Sequence, residues 1–359
     1  MPLRELGEKG LLKHIRLRIP SGDGVPVGVG DDAAAVETGS TTLVTTDSLV
    51  EGVHFLREWC PARLVGRKAL TVNLSDIAAM AGVPRYATVS LCLPPDVPLS
   101  FVDGLYDGLL ERAAETGVSI VGGNVAMSPS DLVVDVTVLG QGELERLLRR
   151  SGALPGDLVV VTGSLGAAAA GLKLVTQGAR LDADGLLDAT GVWTPSSAKV
   201  VTHCLRALLD PNPPLAFSRS LSEHDLAHAA IDISDGLSGD LREVCEESDV
   251  SAWVDSDAIP VDSYAASLER ARGGDAPALA LHGGEDYQLL LAVPPERLDA
   301  LRDLAVIWDI PLTVIGEFAP GPPAVLLKKG ETLLPLTPRS HDHFLSAPAR
   351  PGRDAGEEA

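Results

Sequence analysis

ARLVGRKALTVNLSDIAAMAGVP, residues 62–84, carries the pattern from which the architecture follows. Its apolar residues return at helical spacing as far as residue 81, and Gly82 with Pro84 behind it stops the helix. Strand-like runs flank it at 41–46 and 87–93. A second helical stretch, 101–116, ends at Gly117 and is followed by strand-like runs at 118–121 and 132–139. Such alternation predicts an α/β or α+β fold rather than a helical bundle or a β-sandwich.

Past a charged, irregular passage at 141–150, SGALPGD restarts the pattern. Strands are expected near 158–161, 250–254, 287–293 and 312–315, and helices near 166–176, 196–209 and 237–247. At 359 residues the chain is long enough for two cores. We therefore expect an N-terminal domain over 1–145, a larger C-terminal domain over 146–346, and a disordered Pro-, Gly- and charge-rich tail over 347–359.

Aromatics are only 4% of the composition, so both cores must be built from Ala, Val and Leu. A formal charge of -21 argues against nucleic acid or an anionic membrane surface as a partner. Cys60, Cys92, Cys204 and Cys245 show neither CxxC pairing nor zinc spacing and read as reduced core thiols. With no apolar leader and no apolar run long enough to span a bilayer, a cytoplasmic location is expected.

The acidic residues are placed unusually. GDDAA holds Asp31 and Asp32, TTDSLVEGVHF holds Asp47, NLSDIAAM holds Asp76, DISDGLSGDL holds Asp232 and Asp235, and HGGEDYQLL holds Glu285 and Asp286. Carboxylates avoid apolar neighbourhoods unless paired or metal-bound, yet Asp47, Asp76 and Asp232 each border an apolar run. Any one of them alone reads better as a turn or capping residue, Asp235 before GLSGDL most of all. Together they suit magnesium, which takes a few hard oxygens and leaves positions for water and substrate phosphate. GVGDDA at 28–33 fits a dinucleotide pattern, but its two aspartates would face the pyrophosphate with like charge. There is no GxxxxGK[ST] loop, and GSLGAAAAG at 163–171 reads as a strand-to-helix turn.

The ordered series GDDAA, TTDSLVEGVHF, KALTVNLSDIAAMAG, RSGALPGD, DISDGL and GGEDYQLL resembles the thiamine-monophosphate kinase family, within the aminoimidazole ribonucleotide synthetase-like superfamily. The resemblance implies that superfamily's two-domain fold, an N-terminal mixed sheet with helices plus a larger C-terminal α/β domain, and strands that associate across a homodimer. It also implies ATP as co-substrate, several Mg2+ ions, and in-line transfer of the γ-phosphate to thiamine monophosphate without a covalent phosphoenzyme. No side chain is then needed as nucleophile or base.

By position, Asp32, Thr45, Thr46, Asp47, Asp76, Asp232 and Asp235 match metal contacts. Gly123, Arg150 and Ser234 match nucleotide contacts, and His54 and Glu285 match contacts to the thiamine substrate. Taken alone, His54 beside Phe55 reads as a packed residue, Glu285 as a turn carboxylate, and Arg150, with Arg149 next to it, as a solvated linker charge. Two positions depart from the family pattern. Asn124 stands where a metal- and nucleotide-contacting aspartate is usual, and His341 stands where an aromatic residue stacks on the acceptor. They keep two alternatives open: a superfamily enzyme with another small phosphorylated acceptor, or a non-catalytic nucleotide-binding protein.

Overall fold

The structure is a computed structural model that describes residues 26–27, 31–37, 41–182, 184–188 and 194–339. His341 and the tail expected at 347–359 lie outside them. The N-terminal half contains β1 (Ala34–Glu37), β2 (Thr41–Val50), α1 (Ala62–Ala79), β3 (Val83–Leu93), α2 (Leu99–Thr116), β4 (Ser119–Met127) and β5 (Val133–Gln141). Its sheet runs β1-β2-β5-β3-β4, antiparallel except for β3 with β4, which α2 connects as a parallel pair.

Small residues let the two helices touch backbone to backbone. A Cβ on Gly66 of α1 would lie 1.9 Å from the Leu105 carbonyl oxygen of α2, and one on Gly108 of α2 would lie 1.8 Å from that of Arg63. Any side chain at either glycine would drive α1 and α2 apart. α1 is buried on nearly every side because it also meets the C-terminal half, packing on β7 (Ala229–Ile233), α4 (Pro195–Leu209) and α5 (Leu215–Glu223). That sandwiching explains why Lys68, Asn73 and Ser75 are buried although a surface helix would expose them.

The C-terminal half also contains β6 (Leu158–Thr162), α3 (Ala167–Thr176), α6 (Leu237–Ser248), β8 (Ser251–Asp255), α7 (Ser263–Ala271), α8 (Ala276–His282), β9 (Gln288–Val293), α9 (Leu298–Ile307), β10 (Leu312–Ala319), β11 (Ala324–Lys329) and β12 (Thr332–Pro335). Its sheet runs β12-β11-β8-β10-β6-β9-β7, with helices over it. β7 ends the sheet and lies against α1, so the last strand of one half and the central helix of the other form a common seam.

Candidate active site

Three carboxylates from separate elements meet on this seam. Asp32 comes from the turn before β1, Asp76 from the last turn of α1, and Asp232 from β7. One oxygen from each lies within 4.8 Å of the others. Asp47 on β2 faces Asp76 as a like charge, Thr45 Oγ1 donates to Asp76 Oδ2, and Ser75 Oγ donates to Asp232 Oδ2 at 2.6 Å. The sequence places these groups by helix and strand periodicity: Ser75 and Asp76 end a helix pressed on β7, and Thr45 and Asp47 are two apart on one strand.

Such crowding is unfavourable for the protein alone. Burial, reinforced by the neighbouring carboxylates, raises Asp76 well above the usual carboxylate range and Asp232 to about 8. Burial raises Asp32 to about 6, partly opposed by the Arg150 guanidinium. Asp32 Oδ2 and Asp47 Oδ2 are buried with no hydrogen-bond partner among the described residues. Unpartnered oxygens within a cluster of carboxylates fit a hard divalent cation, which would supply the missing partner and the opposing charge.

Asp47, Asp76 and Asp232 form one wall of a cavity of about 350 Å³, and Asp32 stands beside them without lining it. Ser234, Asp235, His54 and Glu285 line it, together with an apolar lobe that includes Phe55, Trp59, Val72, Leu172 and Leu208. His54 Nδ1 accepts the Val50 N–H at 3.0 Å, which fixes the ring as a neutral tautomer protonated on Nε2. Asp235 precedes Gly236, the residue that caps α6, so the capping reading of Asp235 does not hold.

Glu285 occupies a tight loop with φ 61°, and Gly284 before it has φ 66°. The Glu285 N–H donates to the Ser234 carbonyl at 2.7 Å, and Tyr287 N–H to that of Ile233 at 2.8 Å, tying GGEDY to DISDG. A Cβ on Gly284 would sit 2.6 Å from the Ser234 oxygen, so glycine is required there. Asp286 turns the other way and accepts the Gly166 N–H at the start of α3 at 2.8 Å.

The remaining expected residues divide. Arg150, rather than Arg149, engages the cluster: its Nε donates to Asp32 Oδ1 at 3.0 Å and its Nη1 to Glu243 Oε2 at 2.6 Å. Thr46 faces the opposite side of the sheet from Thr45 and hydrogen-bonds to Thr137 on β5 at 3.0 Å, so its hydroxyl is not in the cluster. Gly123 and Asn124 lie on β4 and do not line the cavity. Asn124 pairs in register with Ser90, Asp135 and Ser48 across the sheet, the face opposite Asp47. β4 is three strands from β2, roughly 14 Å at the usual strand spacing.

Sequence reasoning did not single out Lys68, Ser75, Trp59 or Glu243. A signal existed for the first: Lys68, Val72 and Asp76 are spaced by four, one stripe of α1.

Residues 30–141 match AIR synthase related protein, N-terminal domain, and residues 155–328 match its C-terminal domain. The thiamine-monophosphate kinase of Aquifex aeolicus is 36% identical over 86% of this chain and 93% of its own length. That of Bacillus subtilis is 34% identical over 94% of this chain and 100% of its own. The solved structure of AaThiL complexed with AMPPCP and TMP superposes with a TM-score of 0.81 at 32% identity, covering 96% of this chain and 99% of that one. The chain thus belongs to the AIR synthase related family and, within it, to the thiamine-monophosphate kinases.

Proposed function

We infer that this chain transfers the γ-phosphate of ATP to the phosphate of thiamine monophosphate, giving thiamine diphosphate and ADP. The observation that carries this reading is the meeting of Asp76 and Asp232, with Asp32 beside them, on one wall of a cavity whose other wall holds His54, Glu285 and an apolar lobe. An acceptor with a phosphate at one end and a cationic, aromatic body at the other fits those two walls. The bond from the γ-phosphorus to the β–γ bridging oxygen breaks as an acceptor phosphate oxygen bonds to phosphorus. That oxygen is already ionised at neutral pH, so no side chain need remove a proton, and positioning and charge compensation suffice.

Asp32, Asp47, Asp76, Asp232 and Asp235 would hold magnesium, which when bound supplies positive charge to the phosphates. Arg150 and Ser234 are the nucleotide contacts, with Arg150 also balancing Asp32 and Glu243. His54 meets the acceptor through Nε2–H, and Glu285 attracts its cationic ring. Incubating the protein with ATP, Mg2+ and thiamine monophosphate should produce thiamine diphosphate, separable chromatographically. ATP binding without that product, or faster turnover of free thiamine, would overturn the reading.

A pH dependence follows from the same cluster. Carboxylates whose folded pKa is raised favour the fold below their unfolded value near 4 and lose that contribution as pH climbs through the folded value. With Asp32 near 6 and Asp232 near 8, the melting temperature in EDTA should fall progressively between about pH 4 and pH 8. Added magnesium should remove most of that fall, and calorimetric scans at each pH will show it.

The protein is a homodimer on this reading, joined through β4. That strand pairs only with β3 among the described residues and exposes Val125 (66%) and Met127 (78%), a free sheet edge with apolar side chains. Replacing both with lysine should give a monomer by light scattering; an unchanged mass would remove β4 from the interface. No helix among the described residues is long and apolar enough to cross a membrane. The four unpaired cysteines, with ATP as co-substrate, support a cytoplasmic location.

A further inference from the structure

Lys68 is a buried cation for which the reaction as described above has no use. Its side chain is 3% exposed, and Nζ donates to Glu285 Oε2, across from the N-terminal helix α1 to the GGEDY loop of the C-terminal half. A sealed ammonium is costly unless paired, so this contact is required wherever the lysine stays buried.

The pair is lopsided. The Glu285 side chain is 28% exposed and lines the cavity, while Lys68 lies behind it and does not. The cation therefore serves the carboxylate, and the carboxylate serves the cavity. Fastening the two halves is not the reason for the contact, because the adjacent Arg67 already does so from the same helix. Its Nε donates at 2.8 Å to Asp210, the residue that ends α4, and its Nη1 donates at 2.9 Å to Glu115 of α2. Nor does the loop need Lys68 to reach its backbone shape, which the hydrogen bonds to Ser234 and Ile233 already impose.

We propose that Lys68 is a positioning residue for the acceptor: it holds the Glu285 carboxylate at the cavity wall, aimed at the acceptor's cationic ring. This rests on Glu285 being an acceptor contact. Lys68 sets one rotamer of a long, otherwise mobile side chain, and the acceptor then meets a carboxylate already in place instead of ordering it on binding. A purely structural lysine would change stability without distinguishing between the two substrates.

The test is steady-state kinetics and thermal melting on wild type, Lys68→Met, Lys68→Arg, Glu285→Gln and the Lys68→Met/Glu285→Gln double variant. Lys68→Met should raise the KM for thiamine monophosphate by about tenfold, the loss of a charge-assisted contact, with the KM for ATP within about twofold of wild type. Lys68→Arg should recover most of the loss. The double variant should be no worse than Glu285→Gln alone, because the lysine acts through the glutamate.

A lower melting temperature with both KM values unchanged, equal rises in both, or additive effects in the double variant would each overturn the proposal. Should Lys68→Met not fold, the double variant leaves no unpaired charge, and its comparison with Glu285→Gln decides alone. If the wild type makes no thiamine diphosphate, the proposed function itself has failed. Calorimetric titration with thiamine monophosphate then decides, tenfold weaker binding to Lys68→Met supporting the Lys68–Glu285 role and equal binding overturning it.

Discussion

Replacing Asp76 with asparagine is expected to lower turnover by about 10²–10³-fold while making the metal-free protein more stable. Both signs come from one observation. Asp76 is the carboxylate most heavily opposed by its surroundings, being buried and repelled by Asp47, Asp232 and Asp32. The amide is nearly the same shape, can still accept from the Thr45 hydroxyl, and offers N–H groups to the neighbouring Asp47. Losing a buried like charge should contribute about 2 kcal/mol, or roughly 3 °C in the melting temperature in EDTA.

With magnesium present the advantage should vanish or reverse, because a neutral amide is a poorer ligand for a hard cation. Product analysis for thiamine diphosphate, with calorimetric scans in EDTA and in magnesium, tests both halves. Full turnover in Asp76→Asn would remove it from the metal site, and a lower melting temperature in EDTA would mean that Asp76 is held by partners rather than opposed.

Much of this site was readable from the sequence because its chemistry lies in short motifs. Asp76 sits at the end of a helix whose periodicity and stop are explicit, and Asp232 borders an apolar run that becomes the fully buried β7. That strand was not among those expected, since five residues around an aspartate give no alternation to detect. The short β11 and β12, and helices α5, α7, α8 and α9, went unread for a related reason: each is brief and takes its stability from packing that local pattern does not encode. β4 was expected to end at 121 but continues to Met127, carried through GGN by pairing with β3.

Facing is the second thing that motif matching loses. TTD supplies three consecutive candidates, but a strand alternates, so Thr45 and Asp47 reach the cluster while Thr46 turns to β5. The same rule applies to Asn124, whose registered partners Ser90, Asp135 and Ser48 put it on the face away from Asp47. The loss of a carboxylate at position 124 therefore leaves the cluster of Asp32, Asp47, Asp76 and Asp232 whole. Lys68 was passed over for yet another reason: its partner is 217 positions away, beyond any local pattern.

Arg150 shows the opposite balance from Asp76, and Arg150→Met is expected both to destabilise the protein and to abolish most activity. Its guanidinium lies between the buried Asp32 and Glu243 of α6, its backbone N–H donates to Asp31 at 3.3 Å, and its carbonyl accepts from Ser248. One residue thus fastens the Asp31–Asp32 turn to α6. Its side chain is only 22% exposed, so removing the cation leaves Asp32 buried without compensation, at a cost of about 3 kcal/mol. Asp32 would then stay protonated or shift, and either outcome weakens the cluster, so turnover should fall by about 100-fold.

Lysine at this position keeps the charge but not the planar fork that reaches both carboxylates, and Arg150→Lys should fall between methionine and wild type. Adding Asp32→Asn to Arg150→Met removes the unpaired charge, which should restore most of the melting temperature and none of the turnover. Melting scans and product analysis on the three variants separate this role from simple nucleotide contact. Wild-type stability in Arg150→Met, with only the KM for ATP raised, would show that Arg150 binds nucleotide and does not hold the Asp31–Asp32 turn.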